Sequence, residues 1–417
     1  GFAALAEVAL LASEAIGYHP FAGDSQLKNK IYEPQKQLAR THRRAAIVQQ
    51  SHDAPSMLGF ASGMALTGNR TAAFTNSSGL LSLHRALHSL AGKRVPLVLC
   101  TGCEAPEKQG PVALDGHASY HAVADTGCFQ LFAQNVQQAV DFLLIAQRVA
   151  ELTLTPGIVA FDQHATGLSA QPVHLPDAEL IAAFLGTSGE HIATPTAAQE
   201  LLFNGERARV PEWLALDRAL GLGAAQTPSG YAKGLFAQSP FFYSHLASAL
   251  EQAYGEFAQL TGRQYSAMLS EQVEKADYLL IAQGAVVEAA NSSLEALQKS
   301  LKAKIGVIGI AQLRPFVGAQ LSHLLKNKKA ITVLERLDEP LAGTLPLARE
   351  LQAALHKASE NGTARKDALP FPEYAAFAKT GECPALFSAM YLQDLTESEL
   401  QQAVQNMLPN GDGRKRL

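Results

Sequence analysis

The sequence predicts an α/β protein: a parallel-sheet domain followed by a smaller α/β domain. Short apolar runs of strand length alternate with segments whose apolar residues recur at helical spacing, twice over in the 417 residues. Between the two series lies a stretch broken by Pro172, Pro176, Pro195, Pro211 and Pro228. Apolar residues make up 47% and charged residues 17%, enough to bury two or three cores.

Taken in order, Phe2–Ile16 reads as a helix with Gly17 as its C-cap. Ala45–Val48 is a short apolar run. Ser51 or Asp53 can cap a following helix that turns Met57, Leu58, Ala61 and Ala65 inward. Arg70–Thr75 and Val95–Cys100 read as strands around a helix at Gly79–Leu90. Phe129–Ala133 and Gly157–Phe161 read as strands around a helix at Val136–Leu152. The second series has strands at Tyr278–Ala282, Ile305–Ile310, Ala330–Leu334 and Leu386–Leu392. Its helices are expected at Phe242–Leu260, Val286–Leu301, Gln320–Leu325, Leu345–Leu355 and Thr396–Met407. The expected domains are 1–190, a connecting region 191–239, and 240–417.

The charge balance, 34 basic against 38 acidic residues for a net −4, offers nothing to nucleic acid or an anionic membrane. No apolar run approaches the about 18–20 residues of a membrane span. Glu7 and Glu14 interrupt the opening stretch, which has no basic lead, so it reads as a helix and not a secretory signal. Four cysteines without a regular framework suit a reducing compartment, expected to be the cytoplasm. Gly1 and the basic Arg414–Leu417 look like cut ends, and the final Lys-Arg-Leu is only a loose match to a peroxisomal address.

Several stretches, in order, carry the motifs of one enzyme family. Tyr18-His19-Pro20-Phe21-Ala22-Gly23-Asp24-Ser25 resembles the family's Tyr-Pro-Ile-Thr-Pro-Ser-Ser loop. Phe74-Thr75-Asn76-Ser77-Ser78-Gly79-Leu80-Leu81 is similar to its Phe-Thr-Ala-Ser-Gln-Gly-Leu-Leu turn. Leu260-Thr261-Gly262-Arg263-Gln264-Tyr265, Leu313-Arg314-Pro315-Phe316 and Val333-Leu334-Glu335-Arg336-Leu337-Asp338-Glu339-Pro340 follow at family spacing. Together these stretches resemble the first two domains of pyruvate:ferredoxin oxidoreductases, and the resemblance implies a pyrimidine-binding module of thiamine diphosphate enzymes, then a domain like the C-terminal domain of transketolase. It implies oxidative decarboxylation of a 2-oxoacid, with electrons passing to ferredoxin or flavodoxin. The modules that grip the diphosphate through a metal and carry iron–sulfur clusters are absent, so thiamine diphosphate is expected only at an interface with them. Those modules or subunits are the expected partners, with a homodimer as a further option.

At the positions that would do chemistry the sequence departs from the family. The glutamate beside the aminopyrimidine falls on Asp53, one methylene shorter. A reach short by about 1 Å can cost about 100-fold, and Asp53 reads equally as a helix cap. Asp53, Pro20, Asn76 and Ser77 are the candidate cofactor residues; Asn76 and Ser77 read also as N-caps at a strand-to-helix turn. Ala22, Cys103 and His117 are the candidate substrate residues. The loop threonine falls on Ala22, whose methyl group donates no hydrogen bond. Where an arginine would hold the substrate carboxylate, the sequence has Cys103-Glu104, and Glu104 would repel it.

Cys100 and Cys103 form a C-x-x-C without a second pair, better suited to a strand end than to metal or redox work. His117, His121 and His164 with Asp115 and Asp125 could bind metal or move protons, or form a solvated loop. No metal site is expected, and Arg314-Pro315 is expected to order a domain contact. These departures leave a second reading open: a catalytically degenerate domain kept as a scaffold in a larger flavin or iron–sulfur redox protein.

Overall fold

The computed structural model describes residues 1–21, 46–108, 114–214, 226–363 and 374–417. Ala22 and the start of the Ala45–Val48 run lie outside the described residues. The chain divides into two compact units, residues 1–104 with 122–266 and residues 105–121 with 267–417.

In the first unit six parallel strands run in the order β5-β6-β4-β3-β1-β2. They are β1 (Ala15–Tyr18), β2 (Ile47–Gln50), β3 (Thr71–Asn76), β4 (Leu97–Cys103), β5 (Phe129–Ala133) and β6 (Gly157–Asp162). All but the edge strand β2 are buried along their whole length, as parallel strands covered on both faces must be. The helices are α1 (Phe2–Ala12), α2 (Ala54–Leu66), α3 (Ser77–Ser82), α4 (His84–Gly92), α5 (Val136–Thr153), α6 (Ala178–Leu185), α7 (Ala197–Phe203), α8 (Pro228–Gln238) and α9 (Leu246–Thr261). The face of α2 that meets the core carries Met57, Leu58, Ala61 and Ala65, as its spacing predicts.

Three expectations change. The first helix stops at Ala12, because Ser13 turns extended and Ala15–Tyr18 pairs with β2 on one side and β3 on the other. Gly17 is therefore a strand residue and not a cap; strand pairing on both sides outweighs four more residues of helical periodicity. The helix expected at Gly79–Leu90 is two helices, α3 and α4, meeting at Leu83. The proline-broken stretch holds a small antiparallel pair, β7 (His191–Ala193) with β8 (Glu206–Ala208), besides its short helices.

The expected boundary at 240 also moves: α9 belongs to the first unit. It buries Leu246, Leu250, Ala253, Tyr254 and Phe257 and packs on α5, where Arg148 pairs with Glu256 at 3.0 Å. α5 is buried nearly all round and carries Asp141 in its middle, with no exposed surface. Such a charge requires compensation. Arg263 grips both carboxylate oxygens, Nε at 2.6 Å and Nη2 at 3.0 Å, and the Tyr265 hydroxyl donates at 2.6 Å. The Thr-Gly-Arg-Gln-Tyr motif is thus a counter-ion for the core helix.

In the second unit β9 (Met268–Glu271), β10 (Tyr278–Ala282), β11 (Ile305–Ile310), β12 (Ala330–Arg336) and β13 (Ala385–Tyr391) form a sheet in the order β13-β12-β10-β11-β9. Only β9, which the sequence did not reveal, is antiparallel. α10 (Val286–Leu301), α11 (Gly318–Leu325), α12 (Pro346–Thr363) and α13 (Glu397–Met407) complete it. Val287, Leu294, Leu297, Leu400 and Val404 close a core over the strands. Arg314 pairs with Glu350 at 2.7 Å. Among the described residues no helix is long and apolar enough to cross a membrane.

Candidate functional site

The order of the first sheet creates a crevice. From β1 the chain steps outward to β2, crosses back through α2, and adds β3 on the other side of β1. Ligands of such sheets sit beyond the carboxyl ends of the strands where the order reverses, here between β1 and β3. The residues that follow those strand ends are His19 and Pro20 after β1, Ser51 to Asp53 after β2, Asn76 and Ser77 at β3, Cys103 and Glu104 at β4, and Gln163 after β6.

The strand ends are joined by polar contacts. His19 is buried, and its Nε2 lies 2.7 Å from Thr75 Oγ1. Asn76 caps α3: its Oδ1 accepts from the Gly79 amide at 3.1 Å and from the Ser78 hydroxyl at 3.1 Å. Its amide nitrogen donates to Glu104 Oε1 at 2.6 Å, and Gln163 Nε2 donates to Glu104 Oε2 at 2.9 Å. The Glu104 backbone amide donates to Ser77 Oγ at 2.8 Å. Two glycines make these approaches feasible. A Cβ at Gly79 would stand 2.1 Å from Thr75 Oγ1 and 2.6 Å from His19 Nε2; one at Gly102 would stand 2.3 Å from Gln163 Oε1.

Asp53 is fully exposed and caps α2. Its Oδ1 accepts from the Ser56 amide at 2.7 Å, and that backbone hydrogen bond holds its carboxyl below the ordinary range. His52 and His19 act on it in the same direction through their charge. Pro20 is exposed beside buried His19.

The remaining predicted residues are divided between the two units. Cys103 is buried on β4 of the first unit, whereas His117 is buried in the second, its amide donating to the Arg336 carbonyl at 2.8 Å. Asp115 and His121 also fall in the second unit, but Asp125 and His164 in the first. The Asp115 carboxylate is engaged by Arg336 Nη1 at 2.9 Å. Burial pushes His121 down to about 3, with His117, Arg314 and Arg349 adding to the effect. Among the described residues no group of three or more His, Cys, Asp or Glu could hold a metal ion. Among the described residues Cys100 and Cys103 are buried and form no disulfide. Three positions apart on a strand, they point to opposite faces, and burial raises the Cys100 thiol, which leaves it a poor nucleophile.

Sequence reasoning missed His19, Thr75 and Gln163. A polar residue immediately after each apolar run was the available signal, and only the sheet order shows which of those ends are neighbours.

A family model described as "Pyruvate flavodoxin/ferredoxin oxidoreductase, thiamine diP-bdg" matches residues 7–213, and "Pyruvate:ferredoxin oxidoreductase core domain II" matches residues 276–365. The putative pyruvate-flavodoxin oxidoreductase of Synechocystis is 28% identical over 364 residues, 86% of this chain but 28% of that protein. Pyruvate synthase subunit PorA of Pyrococcus furiosus is 28% identical over 285 residues, 66% of this chain and 64% of the subunit. The chain therefore spans under a third of the first of these relatives and about two thirds of the second. Among solved structures, 2-oxoglutarate:ferredoxin oxidoreductase from Magnetococcus marinus superposes with a TM-score of 0.63 at 14% identity, over 97% of this chain and 64% of that one. A split-gene transketolase gives 0.52 at 10% identity, over 98% and 96%. At these identities the structural likeness speaks for the fold.

Proposed function

The chain belongs to the pyruvate flavodoxin/ferredoxin oxidoreductase family, and from that premise we propose that it supplies the pyrimidine-side wall of a thiamine diphosphate site in a 2-oxoacid oxidoreductase. The observation that carries this reading is the carboxyl edge of the first sheet. It brings an exposed carboxylate, Asp53, into the same row of strand ends as His19, Asn76 and Glu104. Further modules or subunits would supply the diphosphate grip, its metal and the iron–sulfur relay, in the cytoplasm.

An exposed, ionised carboxylate at a strand end fits the hydrogen-bonding needs of an aminopyrimidine ring. When bound, thiamine diphosphate supplies the nucleophilic carbon that adds to the keto group. The chain's own part is positional. Asp53 offers an acceptor to a ring N–H, with its orientation set by the Ser56 amide. The His19–Thr75 contact ties the carboxyl ends of β1 and β3 together beside it. Asn76 and Gln163 hold Glu104 in one pose, so no substrate carboxylate is drawn to that corner by this chain. Pro20, Ser77, Ala22, Cys103 and His117 remain proposals for contacts to cofactor or substrate.

One observation supports the second reading, a family domain retained for assembly. Both carboxylates are already engaged, Asp53 by the cap and Glu104 by two amides. The experiment that separates the readings uses the chain in complex with its natural partner modules. Calorimetry with thiamine diphosphate and dye reduction driven by pyruvate or 2-oxoglutarate are measured together. Binding below micromolar with turnover is expected. Silence in both, from a folded complex, overturns the catalytic reading in favour of the scaffold.

A further inference from the structure

Helix α4 turns Leu87, Leu90 and Ala91 into the core and leaves His84 and His88 exposed. Residues four apart on a helix stand one above the other on the same face. Here the two imidazole rings lie with centroids 5.1 Å apart and planes at 74°. Among the described residues, no hydrogen bond or ion pair engages either ring. We propose that His84 and His88 form a bidentate surface site for a divalent ion of the zinc, nickel or copper class.

The chemistry follows from the ligands. Imidazole nitrogen suits these three ions and serves magnesium or calcium poorly. Two histidines at this spacing on one helical face are the arrangement by which helices present a pair of nitrogens to zinc. Once one ring has bound the ion, the other is held within reach at a high effective concentration. The backbone of α4 is fixed by its buried face, so little chain entropy is lost on binding.

The same residues set the limits. No third His, Cys, Asp or Glu joins the pair among the described residues, so water or a donor from another molecule fills the remaining positions. The site is then an open, exchangeable one, unlike a closed four-ligand structural centre. Arg85 is exposed and about 100° around the helix from His84. Its charge weakens cation binding without occupying the ligand face. The sequence between the histidines, Arg85-Ala86-Leu87, carries no carboxylate.

The test uses the full chain and the metal ions alone. Zinc, nickel and copper are titrated by calorimetry, and paramagnetic broadening by copper is followed on the histidine ring resonances. One dominant site is expected. His84→Ala and His88→Ala should each lose about tenfold or more in affinity, with unchanged circular dichroism because both side chains are exposed. His356→Ala, at another exposed histidine, should change nothing. Retained binding in either single variant, broadening centred on other histidines, or no binding by the wild-type chain would each overturn the proposal. None of these outcomes depends on thiamine binding.

Discussion

The carboxyl ends of β3 and β4 in the first unit and of β12 in the second carry the same residue classes and use them in opposite ways. At β3 and β4 the Asn76 and Ser77 side chains are buried and flank a carboxylate that stands at the rim. Glu104 is half-buried and held by two amides, and Asp53, beyond the end of β2, is exposed. At β12 they are sealed. Glu335 is 3% exposed, Arg336 2% and Asp115 4%. Glu335 accepts from the Leu347 and Ala348 amides at 2.7 and 3.0 Å, capping α12. Arg336 pairs with Asp115 and with Asp394, and lies over the Tyr391 ring at 5.2 Å. A charge at a rim keeps its solvation and can meet a ligand; a sealed charge must be compensated inside the fold, and removing its partner is costly. The family motif around Arg336 and the turn around Asn76 look alike as sequence signals, yet the first compensates buried charges and the second meets a half-buried carboxylate.

The sharpest way to break this contrast is Arg336→Ala. It leaves Asp115 buried without its counter-ion, and a loss of about 3–5 kcal/mol is expected, read as a lower urea midpoint for the whole chain. Arg263→Ala, which strips the counter-ion from Asp141, should approach the same size. If either variant melts like the wild type, the sealed charges are not compensated in the way described.

A second effect concerns pH. Burial lifts Glu335 from the ordinary 4.5 to about 7, against the pull of the two amides. The folded state therefore binds a proton that the unfolded chain releases between these values. Stability should be greatest below about pH 4.5 as far as Glu335 is concerned, and should fall as pH rises to about 7, by up to about 3 kcal/mol. Glu335→Gln should flatten that slope in unfolding measured across the window. An unchanged slope would show that Glu335 is solvated in the folded protein.

Smaller effects belong to the rim. Gly79→Ala forces a Cβ against Thr75 and His19 and should cost about 1–3 kcal/mol, with the His19 ring resonance displaced; a native spectrum would mean the contact is loose. Least of all for the fold is Asp53→Glu. It should raise thiamine diphosphate affinity in the assembled complex if the carboxylate is merely short. A slightly lower melting temperature with no change in affinity would identify Asp53 as a cap alone.

Element type was legible wherever a segment was long and periodic. α5, α10 and the strands β5, β10 and β11 stand where their spacing places them, because one buried face or a continuous apolar run admits few alternatives. The Asp53 cap could be read directly, since an aspartate before Ala-Pro has a local partner two or three residues on. The order of motifs sufficed to indicate the family. Sequence could not show that Ala15–Tyr18 is a strand, that α9 joins the first unit, or that Arg263 answers Asp141, 122 residues away. Nor could it show that His19, Thr75, Asn76, Glu104 and Gln163 form one connected edge while His117 lies in the other unit. Periodicity and capping act over a few residues, so the chain itself fixes them. Strand order and the burial of a charge depend on contacts between distant segments, which exist only once the sheet has formed.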